Sequence, residues 1–110
     1  MRKTWVISTY ALLLLGVVHV GYTPILYRSL SVKAMWFLSC GLMLVFQALL
    51  NILAEKTRLK SGYLLALLAN LASLVFILVL AWMLREIQAL VGVLIGLMVT
   101  AGSLYFWKKA

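Results

Sequence analysis

Apolar residues fill most of the 110-residue chain in four long runs, and short polar breaks separate the runs. The runs cover about residues 4–26, 32–54, 62–84 and 87–107. Each has about 20 residues or more, the length that an α-helix needs to cross a hydrocarbon core of about 30 Å. Backbone groups in lipid must find their hydrogen bonds within the protein, so the runs are predicted to be transmembrane helices. The short breaks favour an up-down-up-down bundle of four helices.

The composition supports an all-α integral membrane protein. Hydrophobic residues make up 66% of the chain and charged residues 11%, and the mean hydropathy is +1.14. A soluble domain of this size has too little interior to bury so much apolar surface, so we expect a single transmembrane domain over residues 1–110. The start, MRKTWVISTYALLLLGVVHV, has the basic and apolar regions of a signal peptide. The apolar run is too long and lacks a small-x-small cleavage site, which predicts a retained first span.

The net charge of +8 is distributed unevenly along the chain. If the four spans alternate, seven of the ten lysines and arginines lie on the side of both termini. The seven are Arg2, Lys3, Lys56, Arg58, Lys60, Lys108 and Lys109, and the other three are Arg28, Lys33 and Arg85. The positive-inside rule then predicts that both termini are cytoplasmic. We expect anionic headgroups of the lipid bilayer as partners at the cytoplasmic edge, and no nucleic acid.

Polar residues inside the spans gather on one face of each predicted helix, which is the face expected to meet other helices. At similar depth, about two turns from the cytoplasmic end, lie Gln47, Asn70 and Thr100, and Ser8 extends toward the same level. We predict a polar layer there, centred on Gln47 and Asn70. The layer is expected either to fix the register of the helices through hydrogen bonds or to form a site for a polar solute.

The only histidine of the chain, His19, lies in the outer half of the first span. Tyr22 shares its helix face, and Trp36 and Cys40 of the second span lie at similar depth, so these four residues form a candidate ligand pocket. Charge is costly at that depth, so the neutral imidazole is expected. Three roles stay open: packing, a proton-linked switch or ligand contact, and haem or metal ligation. Because a second ligand is missing within one chain, the last role requires a homodimer, and no metal or cofactor is predicted.

Small residues mark the predicted helix contacts. Gly92 and Gly96 form a GxxxG motif, and Ser103 continues the small-residue face of the fourth span. Such spacing allows close approach of two helices, but the partner is either another span or another subunit. Gly16 is expected to allow equally close approach of a neighbouring helix to the first span.

The sequence lacks the sets of residues that catalysis commonly requires. The spans carry no acidic residue in their interior, and the chain has no glycine loop for phosphate and no nucleophile–base–orienter set. Cys40 and His19 are the only thiol–imidazole pair, and no third group orients them. The sequence therefore predicts a protein that is not an enzyme.

The stretches GVVHVGYTP and MWFLSCG carry a resemblance to known proteins. Their glycine–histidine pattern late in span one and Trp-Phe plus glycine pattern in span two are similar to those of small bacterial four-span membrane proteins of unknown function. The resemblance implies a bacterial cytoplasmic (inner) membrane protein and implies no activity. The length and the four spans are also similar to those of the small multidrug resistance transporters. Those transporters carry a glutamate in the first span, which this chain lacks.

The leading prediction for function is a non-catalytic integral membrane protein that acts through contacts with protein or lipid. A small apolar or amphipathic ligand, such as a lipid tail or a quinone, is expected in the outer pocket. Alternatives are a small dimeric transporter of a small solute and a membrane haem or redox subunit. A homodimer or a larger membrane partner is compatible with each of these functions.

Overall fold

The computed structural model describes residues 2–110, which form four α-helices joined by short connections. The helices are α1 (Arg2–Leu26), α2 (Val32–Thr57), α3 (Lys60–Leu84) and α4 (Ile87–Lys109). With 23 to 26 residues each, they are about 35–39 Å long at 1.5 Å per residue. All four are long and apolar enough to cross a membrane. The prediction of an all-helical fold with four such helices is confirmed.

Tight caps explain how such long helices follow each other with few linking residues. Ser31 caps α2, because its side chain accepts a hydrogen bond from the backbone N–H of Ala34 at 3.1 Å. Arg58 and Arg85 end α2 and α3 in the left-handed conformation, with φ of 56° and 54°. Each donates its backbone N–H to the carbonyl four residues earlier at 2.9 Å. The chain therefore reverses within two residues after each of these helices.

Each helix contacts its two neighbours in a ring of α1, α2, α3 and α4, as expected for an up-down-up-down bundle. Packing is most extensive within the α1–α2 hairpin and within the α3–α4 hairpin. The two ends of the described chain, the α2–α3 connection and most of the basic residues lie at one end, called here the inner end. The α1–α2 and α3–α4 connections lie at the outer end.

The two hairpins pack closely in the inner half and leave a cleft between them in the outer half. Buried apolar side chains of the inner half include Trp5, Leu12, Ala48, Ala66 and Val99. Within the α1–α2 hairpin, the two backbones approach each other around Gly16 and Gly41. A Cβ atom added to Gly16 would lie 2.9 Å from Val45 of α2. The first hairpin is therefore one tightly packed unit.

Candidate functional site

A cluster of hydrogen-bonded polar side chains lies in the inner half of the bundle. Asn70 donates from Nδ2 to Asn51 Oδ1 and to Ser103 Oγ, each at 2.9 Å. Its Oδ1 accepts from Asn51 Nδ2 at 2.8 Å and from Gln47 Nε2 at 2.9 Å. Trp5 donates from Nε1 to Asn51 Oδ1 at 3.2 Å. We call these five residues, Trp5, Gln47, Asn51, Asn70 and Ser103, the asparagine cluster.

The asparagine cluster takes at least one side chain from every helix, and all five side chains are buried. Asn70 is 0% exposed, and both of its amide protons and its carbonyl oxygen have partners. Within the asparagine cluster, Gln47 Oε1 is the one side-chain atom that is enclosed by protein without a hydrogen-bond partner. Since buried polar groups are costly unless they are paired, the cluster fixes which helix faces meet.

The predicted polar layer differs from this cluster in two of its four members, Ser8 and Thr100. Gln47 and Asn70 contact each other, but the hydroxyls of Ser8 and Thr100 donate to carbonyls of their own helices, Thr4 O and Gly96 O, each at 2.7 Å. Ser and Thr hydroxyls inside a helix commonly make this local bond to the carbonyl four residues earlier. Their places in the network are taken by Asn51, which shares the helix face of Gln47, and by Ser103, which was expected only to pack.

An aromatic layer lies between the asparagine cluster and the inner end. The ring centroid of Trp5 is 5.2 Å from that of Phe106 and 5.8 Å from that of Tyr63. Trp5 is only 1% exposed. Aromatic side chains near span ends commonly lie among lipid headgroups. Trp5 and Tyr63 instead pack inside the bundle, where both rings are neighbours of Phe106 of α4.

Arg2 closes the aromatic layer at the inner end. Its guanidinium carbon lies 4.1 Å from the ring centroid of Phe106, and its side chain donates to Glu55 at 3.3 Å and to the Tyr63 hydroxyl at 3.4 Å. The single side chain of Arg2 therefore links α1 to the other three helices.

Replacing Arg2 by methionine is expected to lower the free energy of unfolding by about 1 kcal/mol, because a half-exposed ion pair and a cation–π contact are each worth a fraction of that amount. Replacing exposed Lys3 by methionine serves as the control and is expected to leave the free energy unchanged. Unfolding in mixed micelles titrated with SDS measures both. Equal effects of the two substitutions would contradict the role of Arg2.

The cleft in the outer half has a volume of about 470 Å³ and is lined by both hairpins. Its lining from the α1–α2 hairpin is Leu15, His19, Tyr27, Lys33, Trp36, Phe37, Cys40 and Leu44. From the α3–α4 hairpin it is Phe76, Ile77, Leu80, Leu84, Glu86, Gln88, Ala89 and Gly92. Between Lys33 and Leu44 the rise of α2 is about 16 Å. The outer cleft is thus an elongated apolar space whose charged residues lie at its outer mouth.

His19 packs against α2 on the wall of the outer cleft. Its ring is stacked on that of Phe37, with centroids 3.8 Å apart and an angle of 18° between the planes. Its Cδ2 atom would lie 3.1 Å from a Cβ atom on Gly41. Its Nε2 is enclosed by protein without a hydrogen-bond partner. A neutral imidazole carries one N–H donor and one acceptor nitrogen, so His19 has hydrogen-bonding capacity at Nε2 that the described residues do not satisfy.

The candidate pocket predicted from sequence is partly assembled here. His19, Trp36 and Cys40 line the outer cleft together, and Tyr22 does not. Tyr22 is 48% exposed and lies on the surface of the bundle. The tyrosine of the cleft is Tyr27, which follows the end of α1 and so lies outside the helical periodicity used for the prediction.

The glycines of the GxxxG motif face α3 of the same chain. A Cβ atom on Gly92 would lie 3.8 Å from Ile77, and one on Gly96 would lie 3.4 Å from Leu74. These are ordinary van der Waals distances. Gly102, which lies outside the motif, has a much closer neighbour, because a Cβ atom there would lie 2.5 Å from Trp5. Among the three glycines of α4, the closest approach to another helix is therefore that of Gly102 to α1, near the asparagine cluster.

Metal-ligand side chains are dispersed in the part of the chain that the structure describes. Among residues 2–110, no three His, Cys, Asp or Glu side chains come together in a group that could hold a metal ion. Comparison with known proteins adds no further site. The chain matches no protein-family model, and no curated protein or solved structure matches it. The outer cleft and the asparagine cluster are therefore the two candidate sites.

Proposed function

We propose that the chain is an integral protein of a bacterial cytoplasmic membrane, with both termini in the cytoplasm. Four apolar helices and the basic inner end support this orientation. Basic residues near the inner surface attract anionic headgroups, each contributing about 1 kcal/mol to membrane association. The bundle would then present its inner end to the cytoplasm and its outer cleft to the opposite leaflet.

The proposed activity is the binding, without chemical change, of one membrane lipid whose acyl chain lies in the outer cleft. The observation that carries the proposal is the cleft itself, an elongated apolar space between two hairpins with charged residues only at its mouth. Its volume is within the range of about 300–1,000 Å³ that is typical of small-molecule sites. Bilayer lipids surround such a cleft at high concentration and can reach it laterally.

A polar group of the ligand has a partner inside the outer cleft. His19 lines the cleft, and its Nε2 has no hydrogen-bond partner among the described residues. An ester carbonyl at the top of an acyl chain can accept the hydrogen bond that a neutral imidazole donates. We therefore assign His19 a binding role, with Trp36 and Cys40 as apolar walls.

A solute path through the asparagine cluster is the alternative that we favour less. Gln47 is 4% exposed and Asn70 is 0% exposed, and their amides are engaged with neighbouring helices. A transporter of the predicted dimeric kind would need these bonds to open for each solute. The unpartnered Gln47 Oε1 is the observation on its side. Thiol labelling of Gln47→Cys in a Cys40→Ala background decides this, since reaction from either side would favour transport.

Filling the outer cleft is expected to abolish lipid binding there. The probe is a phosphatidylethanolamine that carries a photoreactive diazirine at the end of one acyl chain, incorporated into vesicles with the protein. In the unaltered protein, we expect labelling of cleft residues such as Leu80 and Phe76. Gly92→Phe introduces a ring into the cleft. We expect cleft labelling to fall at least fivefold, because the ring occupies the volume that the acyl chain of the lipid would fill.

Gly21→Phe is the matched control, because nothing lies within 4 Å of a Cβ atom on Gly21. It adds the same ring on the outer surface and is expected to leave cleft labelling unchanged. Ala89→Phe, on the same wall as Gly92, is a second filled variant, and circular dichroism identifies any variant that fails to fold. Unchanged cleft labelling in both folded filled variants would refute the proposal.

A further inference from the structure

Two opposite charges lie at the mouth of the outer cleft, one on each hairpin. Lys33 is in the first turn of α2, and Glu86 immediately precedes α4. Both side chains line the cleft and both residues are exposed. Because the hairpins diverge at this end, the two charges belong to separate walls of the same opening.

Neither charge is neutralised by an ion pair in the part of the chain that the structure describes. The ion pairs among residues 2–110 lie at the inner end, where Glu55 pairs with Arg2 and with Arg58. The carboxylate of Glu86 accepts a hydrogen bond from Gln88, which carries no charge. Lys33 and Glu86 are therefore free to bind charged groups of a ligand.

The chemistry of the mouth discriminates between lipid headgroups. A headgroup with a phosphate alone would be attracted by Lys33 and repelled by Glu86. A headgroup with a phosphate and an ammonium group matches both walls. The rings of Tyr27 and Trp36 line the same opening, where aromatic rings can contact an ammonium group.

We infer that the ligand of the outer cleft is a zwitterionic phospholipid, whose phosphate binds Lys33 and whose ammonium group binds Glu86. The inference rests on the proposed function and adds the class of headgroup to it. One acyl chain extends along the apolar walls toward Leu44 and Ile77, which line the deep part of the cleft. The headgroup then lies at the outer end of the bundle, at the depth where a bilayer places its headgroups.

Competition against the diazirine probe tests the inference in the unaltered protein. Unlabelled phosphatidylethanolamine or phosphatidylglycerol is added to the vesicles in increasing amounts, and cleft labelling is measured by peptide mapping. We expect phosphatidylethanolamine to compete about threefold more strongly than phosphatidylglycerol. The difference is small because an exposed contact between two charges changes the binding constant by only a small factor. Phosphatidylcholine is expected to behave like phosphatidylethanolamine, since it is also zwitterionic.

Charge variants assign the two contacts. Glu86→Gln is expected to remove the preference for zwitterionic competitors. Lys33→Gln is expected to lower cleft labelling by the probe about threefold, because the probe carries the same phosphate as its competitors. Arg28→Gln is the control, because it removes an outer-end cation that does not line the cleft. Equal competition by phosphatidylglycerol in the unaltered protein would overturn the inference. That result would leave the proposed function intact, whereas cleft labelling that survives in the filled variants would refute both.

Discussion

Replacing Asn70 by alanine is expected to lower the free energy of unfolding by about 2–4 kcal/mol. Each interhelical hydrogen bond within a membrane contributes about 0.6 kcal/mol on average, with a maximum near 1.7 kcal/mol. Asn70 makes such bonds to three side chains on α2 and α4, and its loss also leaves buried amide groups without partners. A buried unpaired polar group costs a further 1–3 kcal/mol or so. Unfolding of the purified protein in mixed micelles titrated with SDS measures the effect.

Thr100→Val is the matched control for the Asn70 substitution. Thr100 is also buried and polar, but its hydroxyl bonds only to a carbonyl of its own helix. We expect it to change the free energy of unfolding by less than about 0.5 kcal/mol, because the removed bond joins no two helices. If Asn70→Ala and Thr100→Val had equal effects, the asparagine cluster would not be what holds the four helices in register.

The hydrophobic pattern was sufficient to predict four helices, because each apolar run has the length of a membrane span and is bounded by charged or turn-forming residues. Helical periodicity also placed Gln47 and Asn70 toward each other. Helical periodicity could not show which of the nearby serine and threonine hydroxyls bonds to these amides. Whether a serine bonds to its own helix or to a neighbour depends on the rotation and distance of that neighbour, which are set by packing. Ser103 faces Asn70 for this reason, and Thr100 does not.

The outer cleft was predictable only on the α1–α2 side. His19, Trp36 and Cys40 lie at similar depth on two consecutive spans, so their proximity follows from the hairpin. The opposite wall consists of apolar residues of α3 and α4, and apolar residues in a membrane span carry no signal that separates a cleft from a lipid-facing surface. The divergence of the hairpins is a tertiary feature. It arises because polar bonds and the aromatic layer join all four helices only in the inner half.

The same asymmetry connects the asparagine cluster to the proposed lipid site. Hydrogen bonds between the hairpins are concentrated in the inner half, so the outer halves of the two hairpins are held together by apolar contacts. An acyl chain between the outer halves makes apolar contacts that the two hairpins do not make with each other. The inner cluster therefore has a structural role in the proposed function, because it keeps the hairpins together while the outer cleft is occupied.

Gly102→Ala is expected to lower the free energy of unfolding by about 2–3 kcal/mol, although alanine is a better helix former than glycine. The added Cβ atom would lie 2.5 Å from Cδ1 and Cγ of Trp5 and 2.7 Å from its Cβ. Rotation of the Trp5 side chain cannot relieve a contact with its own Cβ atom, which is fixed to the α1 backbone. The indole is held further by its bond to Asn51 and its stacking on Phe106. We therefore expect α1 and α4 to separate, at the cost that is typical of an overpacked interior.

Gly21→Ala and Gly92→Ala are the matched controls for this substitution. An added Cβ atom has no neighbour within 4 Å at Gly21, and it has only an ordinary contact with Ile77 at Gly92. Both are expected to leave the free energy of unfolding unchanged or to raise it by up to about 1 kcal/mol, through the better helix propensity of alanine. Trp5 fluorescence in a background with the other three tryptophans replaced by phenylalanine reports the site directly. A Gly102→Ala protein with unaltered Trp5 emission and unaltered stability would show that α1 and α4 are not in close contact at this point.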